Sequence, residues 1–165
     1  VRAQRLENFK LPKPDDKGDA KLIHDVVDHG CHIIGILEDE AGPRYSFSVG
    51  LYCNYRHPEV LLFDMEHEAA KVLINGLCQE IQSGQRYEDE KKYHDILDGF
   101  PVVFRIIRAE FYRDYLGYAR WFYKSIQGNF PALQLIWPDK AGKFPWERGF
   151  DERFRSRQPS LYSRI

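Results

Sequence analysis

Between Arg44 and Leu51 apolar and polar residues alternate without a break: Tyr45, Phe47, Val49 and Leu51 fall on one side, Arg44, Ser46 and Ser48 on the other. A period of two is the pattern of a strand with one face on a core and the other toward water. A polar, aromatic crossing follows, with Cys53, Arg56 and His57, and ends at Pro58. The run Glu59-Val60-Leu61-Leu62-Phe63 comes next. Its apolar part has no polar face, which predicts an interior strand. The rest of the chain reads as cover for this pair of strands.

Upstream, Leu22, Ile23, Val26 and Val27 form one stripe of a helix expected from Asp19, as N-cap, to Asp28, with Gly30 as its stop. Residues 31–37 read as a strand, and the turn 38–43 makes it a hairpin with 44–51. Downstream, Asp64 is the expected cap of a second helix reaching Ser83, with Ala70, Leu73, Ile74, Leu77, Cys78 and Ile81 at helical spacing. Residues 85–99 are charged and loop-like. Residues 100–107 read as a strand, 110–126 as a third helix interrupted in composition by Gly117, and 133–137 as a last strand. This order predicts an α+β fold: a single mixed, mainly antiparallel sheet with three helices packed on it. The late strand–helix–strand unit is where a parallel pair is expected. Residues 1–18 read as a flexible arm, 19–147 as the domain, and 148–165 as an Arg-rich tail folded back on it.

The length, 165 residues, fits one domain with a real core. A formal charge of -1 argues against wholesale binding to nucleic acid or membrane. The apolar runs are far below the ~18 residues of a membrane span. Three widely spaced cysteines, Cys31, Cys53 and Cys78, are not a disulfide framework and fit a reducing, cytoplasmic setting. No signal peptide is evident, and the chain opens at Val1 rather than a methionine, which leaves room for a preceding segment.

Three strings in order carry a resemblance: Tyr45-x-Phe47-x-Val49-Gly50-Leu51, then His57-Pro58-Glu59-Val60, then Gln134-Leu135-Ile136-Trp137-Pro138-Asp139 with Gly142-x-Phe144-Pro145-Trp146. Over residues 19–147 the chain resembles a bacterial family catalogued as domain of unknown function 4262. Ser48 stands where that family usually has threonine, which keeps the hydroxyl. Asp64-Met65-Glu66-His67 replaces a glycine-type turn. The resemblance implies the same α+β architecture and a bacterial source; it implies no activity.

Candidate chemistry therefore comes from the residues. Asp28, His29, Cys31 and His32 lie within five positions, but Cys31 and His32 on a strand point to opposite faces, and no Cys-x-x-Cys pair exists. No metal and no cofactor are expected. Ser48, His57 and Asp64 supply a hydroxyl, an imidazole and a carboxylate around one crossing, a candidate acid–base or nucleophile cluster. Their ordinary readings are a strand hydroxyl, a hydrogen-bonded turn histidine and a helix cap. Trp137 and Trp146 bracket a Pro- and Gly-containing turn, read as an aromatic cluster closing the domain edge rather than a ligand clamp.

On the third helix Phe111, Tyr118 and Trp121 form a second aromatic row beside Arg120, the residue types that concentrate in interfaces. The expected function is a small cytoplasmic bacterial domain that binds another protein without catalysis, an immunity or inhibitor protein of a toxin being one form of it. The alternative is an enzyme or small-molecule binder that uses the Ser48, His57 and Asp64 region.

Overall fold

The computed structural model describes residues 5–163. Its strands are β1 His32–Ile36, β2 Tyr45–Val49, β3 Glu59–Phe63, β4 Lys92–Leu97, β5 Phe100–Ile106 and β6 Ala132–Ile136. They make one sheet in the order β1-β2-β3-β6-β5-β4. All neighbours are antiparallel except β3 and β6, which run parallel. The fold is α+β, a mixed sheet with helices on it. Helix α1 is Lys17–His29, α2 Leu51–Tyr55, α3 His67–Gln82, α4 Tyr112–Tyr115 and α5 Gly117–Phe122.

Both faces of the sheet are covered. On one, Phe47, Val49, Leu61 and Phe63 pack with Leu22 and Val26 of α1 and with Leu116, Ala119, Phe122 and Tyr123. On the other, Val60, Leu62, Val102, Phe104, Leu133 and Leu135 meet Ala70, Ile74, Leu77 and Ile81 of α3. The alternation in β2 was expected to divide core from water. Instead it divides two cores, and Ser46 and Ser48 are buried under α3. A sheet covered on both sides leaves no solvent face for its central strands.

Several local expectations change for physical reasons. The strand through Leu51 stops at Gly50, whose φ of 114° lies in the left-handed region that glycine adopts freely. The chain then turns helical, so Leu51 joins the α3 side rather than the face of Phe47. Helix α1 begins earlier than read, because the Asp19 amide donates to Asp16 Oδ1 at 2.8 Å, making Asp16 the cap. Glu66, not Asp64, caps α3, accepting from the Glu68 and Ala69 amides. Strand β4 lies in the stretch read as a charged loop. Asp98-Gly99 is its hairpin turn, with Gly99 at φ 80°. The expected parallel pair after 100–107 is antiparallel, because β6 inserts between β5 and β3.

The third helix is broken. A 3-10 turn Ala109–Phe111, α4, α5 and a second 3-10 turn Lys124–Ile126 replace it, with Leu116 leaving helical angles at ψ 34°. Aromatic residues and Gly117 have weak intrinsic helix preference, so packing of each ring decides the local path. The expected arm is also packed. Leu6, Phe9 and Leu11 lie on the core, and the Leu6 amide donates to the Cys53 carbonyl at 2.9 Å. The C-terminal stretch is folded back as expected: Leu161 is buried and bridges the Arg108 amide to Gln134. The first four positions of the arm, and Arg164 of the tail, lie outside the described residues. Among the described residues no helix is long and apolar enough to cross a membrane.

Phe47 is 1% exposed at the centre of the first core layer. Phe47→Ala should lower the urea-unfolding free energy by about 3–5 kcal/mol. A loss under about 1 kcal/mol would be incompatible with this packing.

Candidate functional site

The crossing between β2 and β3 is held by one carboxylate. Glu59 begins β3 at 0% exposure, and its carboxylate accepts from five donors. Ser48 Oγ donates to Oε2 at 2.6 Å, and the Gly50 and Tyr52 amides to Oε1 at 2.8 and 3.2 Å. The Leu51 amide donates to Oε2 at 3.3 Å and the Tyr123 hydroxyl to Oε1 at 2.5 Å. Three of these donors are the amides that open α2, groups that a helix leaves without internal partners. Burial pushes Glu59 above the ordinary carboxylate range, and the hydrogen bonds from Ser48, Tyr123, Tyr52 and Gly50 pull it partly back. Tyr123 is pushed well up by burial and by the neighbouring Glu59, so its hydroxyl keeps its proton and remains a donor.

The hydroxyl of Ser48 is used twice, donating to Glu59 and accepting from the Val60 amide at 2.9 Å. It substitutes for a ladder bond where β2 and β3 diverge. His57 is likewise consumed. Its Nδ1 lies 2.7 Å from the Pro58 carbonyl oxygen and donates to it, while Nε2 accepts from the Tyr87 amide at 3.0 Å. Burial holds the ring down at about 4, so it is neutral near pH 7. Asp64 sits at the far end of β3, left-handed at φ 56° and ion-paired with Arg157. Five strand residues separate it from His57's end, about 17 Å at 3.3 Å each. The three candidate catalytic residues do not converge: two are locked in separate buried networks, and the third lies across the sheet.

Of the aromatic row, Phe111 belongs to the core at 9% exposure, which removes it from the expected partner surface. Tyr118 is 53% exposed. With Trp121, Gly117, Asp15, Asp16 and Asp19 it lines a cleft of about 430 Å³ between α5 and the start of α1. Arg120 is exposed on α5 but does not line this cleft. Lys124 reaches over the Trp121 ring, 5.8 Å from its centre.

The two tryptophans of the last motif do not pair with each other. Trp137 donates from Nε1 to the Phe63 carbonyl at 3.0 Å and meets Phe154 edge-on, whereas Trp146 stacks on Phe144 at 5.2 Å. Asp139 organises the turn between them, accepting from the amides of Ala141, Lys143 and Asp151. The cysteines lie in the core: Cys31 beside Cys78, with the Cys31 thiol pushed well up by its hydrogen bond with Cys78 and by burial, and Cys53 under Gly50.

Sequence reading missed Glu59 as the centre and the acidic rim of the cleft. The signal for the first was a carboxylate opening an otherwise apolar strand, and for the second the Asp15-Asp16 pair just ahead of a helix.

A family profile described as "Domain of unknown function (DUF4262)" matches residues 25–151. The chain belongs to this family. The DUF4262 match takes in all six strands, the Glu59 network and the turn at Asp139, and also Tyr118 and Trp121. Asp15, Asp16 and Asp19 precede it. No curated protein and no solved structure matches the chain.

The His57 geometry has a pH consequence. A histidine held neutral in the fold at about 4, against an ordinary 6.5, contributes stability that is present above 6.5 and lost as pH falls toward 4. The shift corresponds to about 3 kcal/mol. Urea melts across this range should show a fall of that order in the wild type, and His57→Gln should flatten it. An unchanged slope in the variant would place the titration elsewhere.

Proposed function

We propose that this DUF4262 chain is a small protein-binding domain without catalytic activity, and that its contact surface is the cleft beside Tyr118 and Trp121. The observation that carries this reading is the contrast between two places. At the β2–β3 crossing the hydroxyl and imidazole are sealed in the core with their hydrogen-bonding positions taken. At the cleft a half-exposed Tyr118 ring stands beside the carboxylates of Asp15, Asp16 and Asp19.

Aromatic faces next to carboxylates suit a lysine or arginine side chain, which gains a cation–π contact and an ion pair in one position. Tyrosine and tryptophan are also the residue types that dominate binding energy in interfaces. Asp16 and Asp19 are partly committed, one accepting from the Asp19 amide and the other from the Asp15 amide, which fixes the rim without cancelling its charge. The partner this favours is a protein that presents a basic segment. A basic bacterial toxin is one such partner, and the domain would then serve as its immunity or inhibitor protein.

Affinity purification from the host with the wild type and with Tyr118→Ala as baits tests this. Wild type should retain a partner that elutes with salt, since the contact is largely ionic. Tyr118→Ala should weaken the purified pair by about 2 kcal/mol in calorimetry while leaving its own melt within about 0.5 kcal/mol. Equal binding by both baits would reject the cleft as the contact surface.

A further inference from the structure

The last turns of α1 gather imidazoles and carboxylates that take no part in the cleft. His24, Asp25 and His29 each place one ligand atom within 4.8 Å of the other two. Of the residues that spacing had singled out only His29 is among them: Cys31 is turned into the core, and His32 acts on Asp25 rather than beside it.

The neighbours leave the appropriate atoms available. His24 Nδ1 lies 2.9 Å from Asp28 Oδ2, so a proton on that nitrogen leaves Nε2 as the ligand atom. Lys21 Nζ and His32 Nδ1 both contact Asp25 Oδ2, at 2.8 and 2.7 Å, which holds the carboxylate in place and leaves Oδ1 without a partner among the described residues. A histidine whose far nitrogen is held by a carboxylate, and a ligating carboxylate that is itself hydrogen-bonded, are the usual surroundings of a metal ligand.

We propose that His24, Asp25 and His29 form a binding site for a divalent first-row transition ion, with zinc as its probe. Two imidazoles and one carboxylate favour zinc and its neighbours over magnesium or calcium, which take oxygen ligands. Ligand atoms about 2.1 Å from a tetrahedral zinc lie roughly 3.4 Å apart. Closing from 4.8 Å calls for side-chain rotation, for which the exposed positions of His24 and His29 leave room. One coordination position then stays open to water. The site shares no residue with the Tyr118 cleft, so it stands or falls separately.

The test uses the whole chain without a histidine tag, stripped with chelator and titrated with zinc chloride by calorimetry. One ion per chain should bind. The double variant His24→Ala/His29→Ala should weaken uptake by more than about tenfold. His94→Ala, an exposed histidine on β4, should bind zinc as the wild type does. Both exposed histidines lie outside the core, so the double variant should keep the wild-type circular dichroism spectrum. Asp25→Asn should weaken uptake while both histidines remain. The proposal is overturned by a wild type that takes up no stoichiometric zinc, or by a double variant that binds it as tightly as the wild type.

Discussion

The fold turns on a carboxylate buried without a cation. Among the described residues Glu59 is answered by five hydrogen bonds, from a serine, a tyrosine and three successive amides. A buried charge is tolerable only when its lone pairs are met in this way. In return it satisfies the opening amides of α2, which otherwise lie in the core beside β3. The other end of α2 is closed by cations: Arg56 donates to the Cys53 carbonyl, and Arg86 to the carbonyls of Tyr55 and Arg56. A five-residue helix cannot persist by propensity alone, and here side chains supply both caps.

From that helix the order spreads outward. Asn54 donates to the carbonyls of Val26 and Gly30, so α2 caps α1 and fixes where that helix stops. Tyr123 links the carboxylate to the Cys53 amide, which draws the segment after α5 onto the same point. Gly50 fits this crossing for two reasons. Its φ is left-handed, and a Cβ there would come within 2.8 Å of Val26. The strings that carry the family resemblance, Val49-Gly50-Leu51 and His57-Pro58-Glu59, are thus the joint of the fold. Polar residues at such a joint are conspicuous in a sequence because they are costly to bury, and they are spent on structure. The Tyr118 cleft and the histidine cluster on α1, on which the two proposals rest, are built from other residues than this joint.

Legibility in the sequence followed the range of the physics. Periodic segments with local stops, such as α1 ending at Gly30 and α3 ending before Gly84, were readable because period and cap lie within a few residues of each other. The hairpin of β1 and β2 was readable for the same reason. Strand β4 was not, since Lys92, His94 and Asp95 mask the buried Tyr93, and only Asp98-Gly99 marked its turn. The pairing of β6 between β3 and β5 is a tertiary fact with no local trace. At the candidate site, Ser48 and His57 stand out in the sequence as polar residues beside apolar strands. Their burial depends on α3 and Tyr87, which reach them from distant parts of the chain. Tyr118 and Trp121 were visible as excess aromatics, while their separation from Phe111 rests on a helix break at Leu116 that packing imposes.

The claim that this carboxylate is the joint of the fold is tested most directly by urea unfolding of Glu59→Gln. The amide keeps the shape but replaces one oxygen with a donor, so whichever way it is oriented at least two of the five donors lose their acceptor. A loss of about 3 kcal/mol or more is expected, with the fold cooperative but weakened. A variant within about 0.5 kcal/mol of wild type would contradict it and would return Glu59, with Ser48 beside it, to the list of residues kept for chemistry.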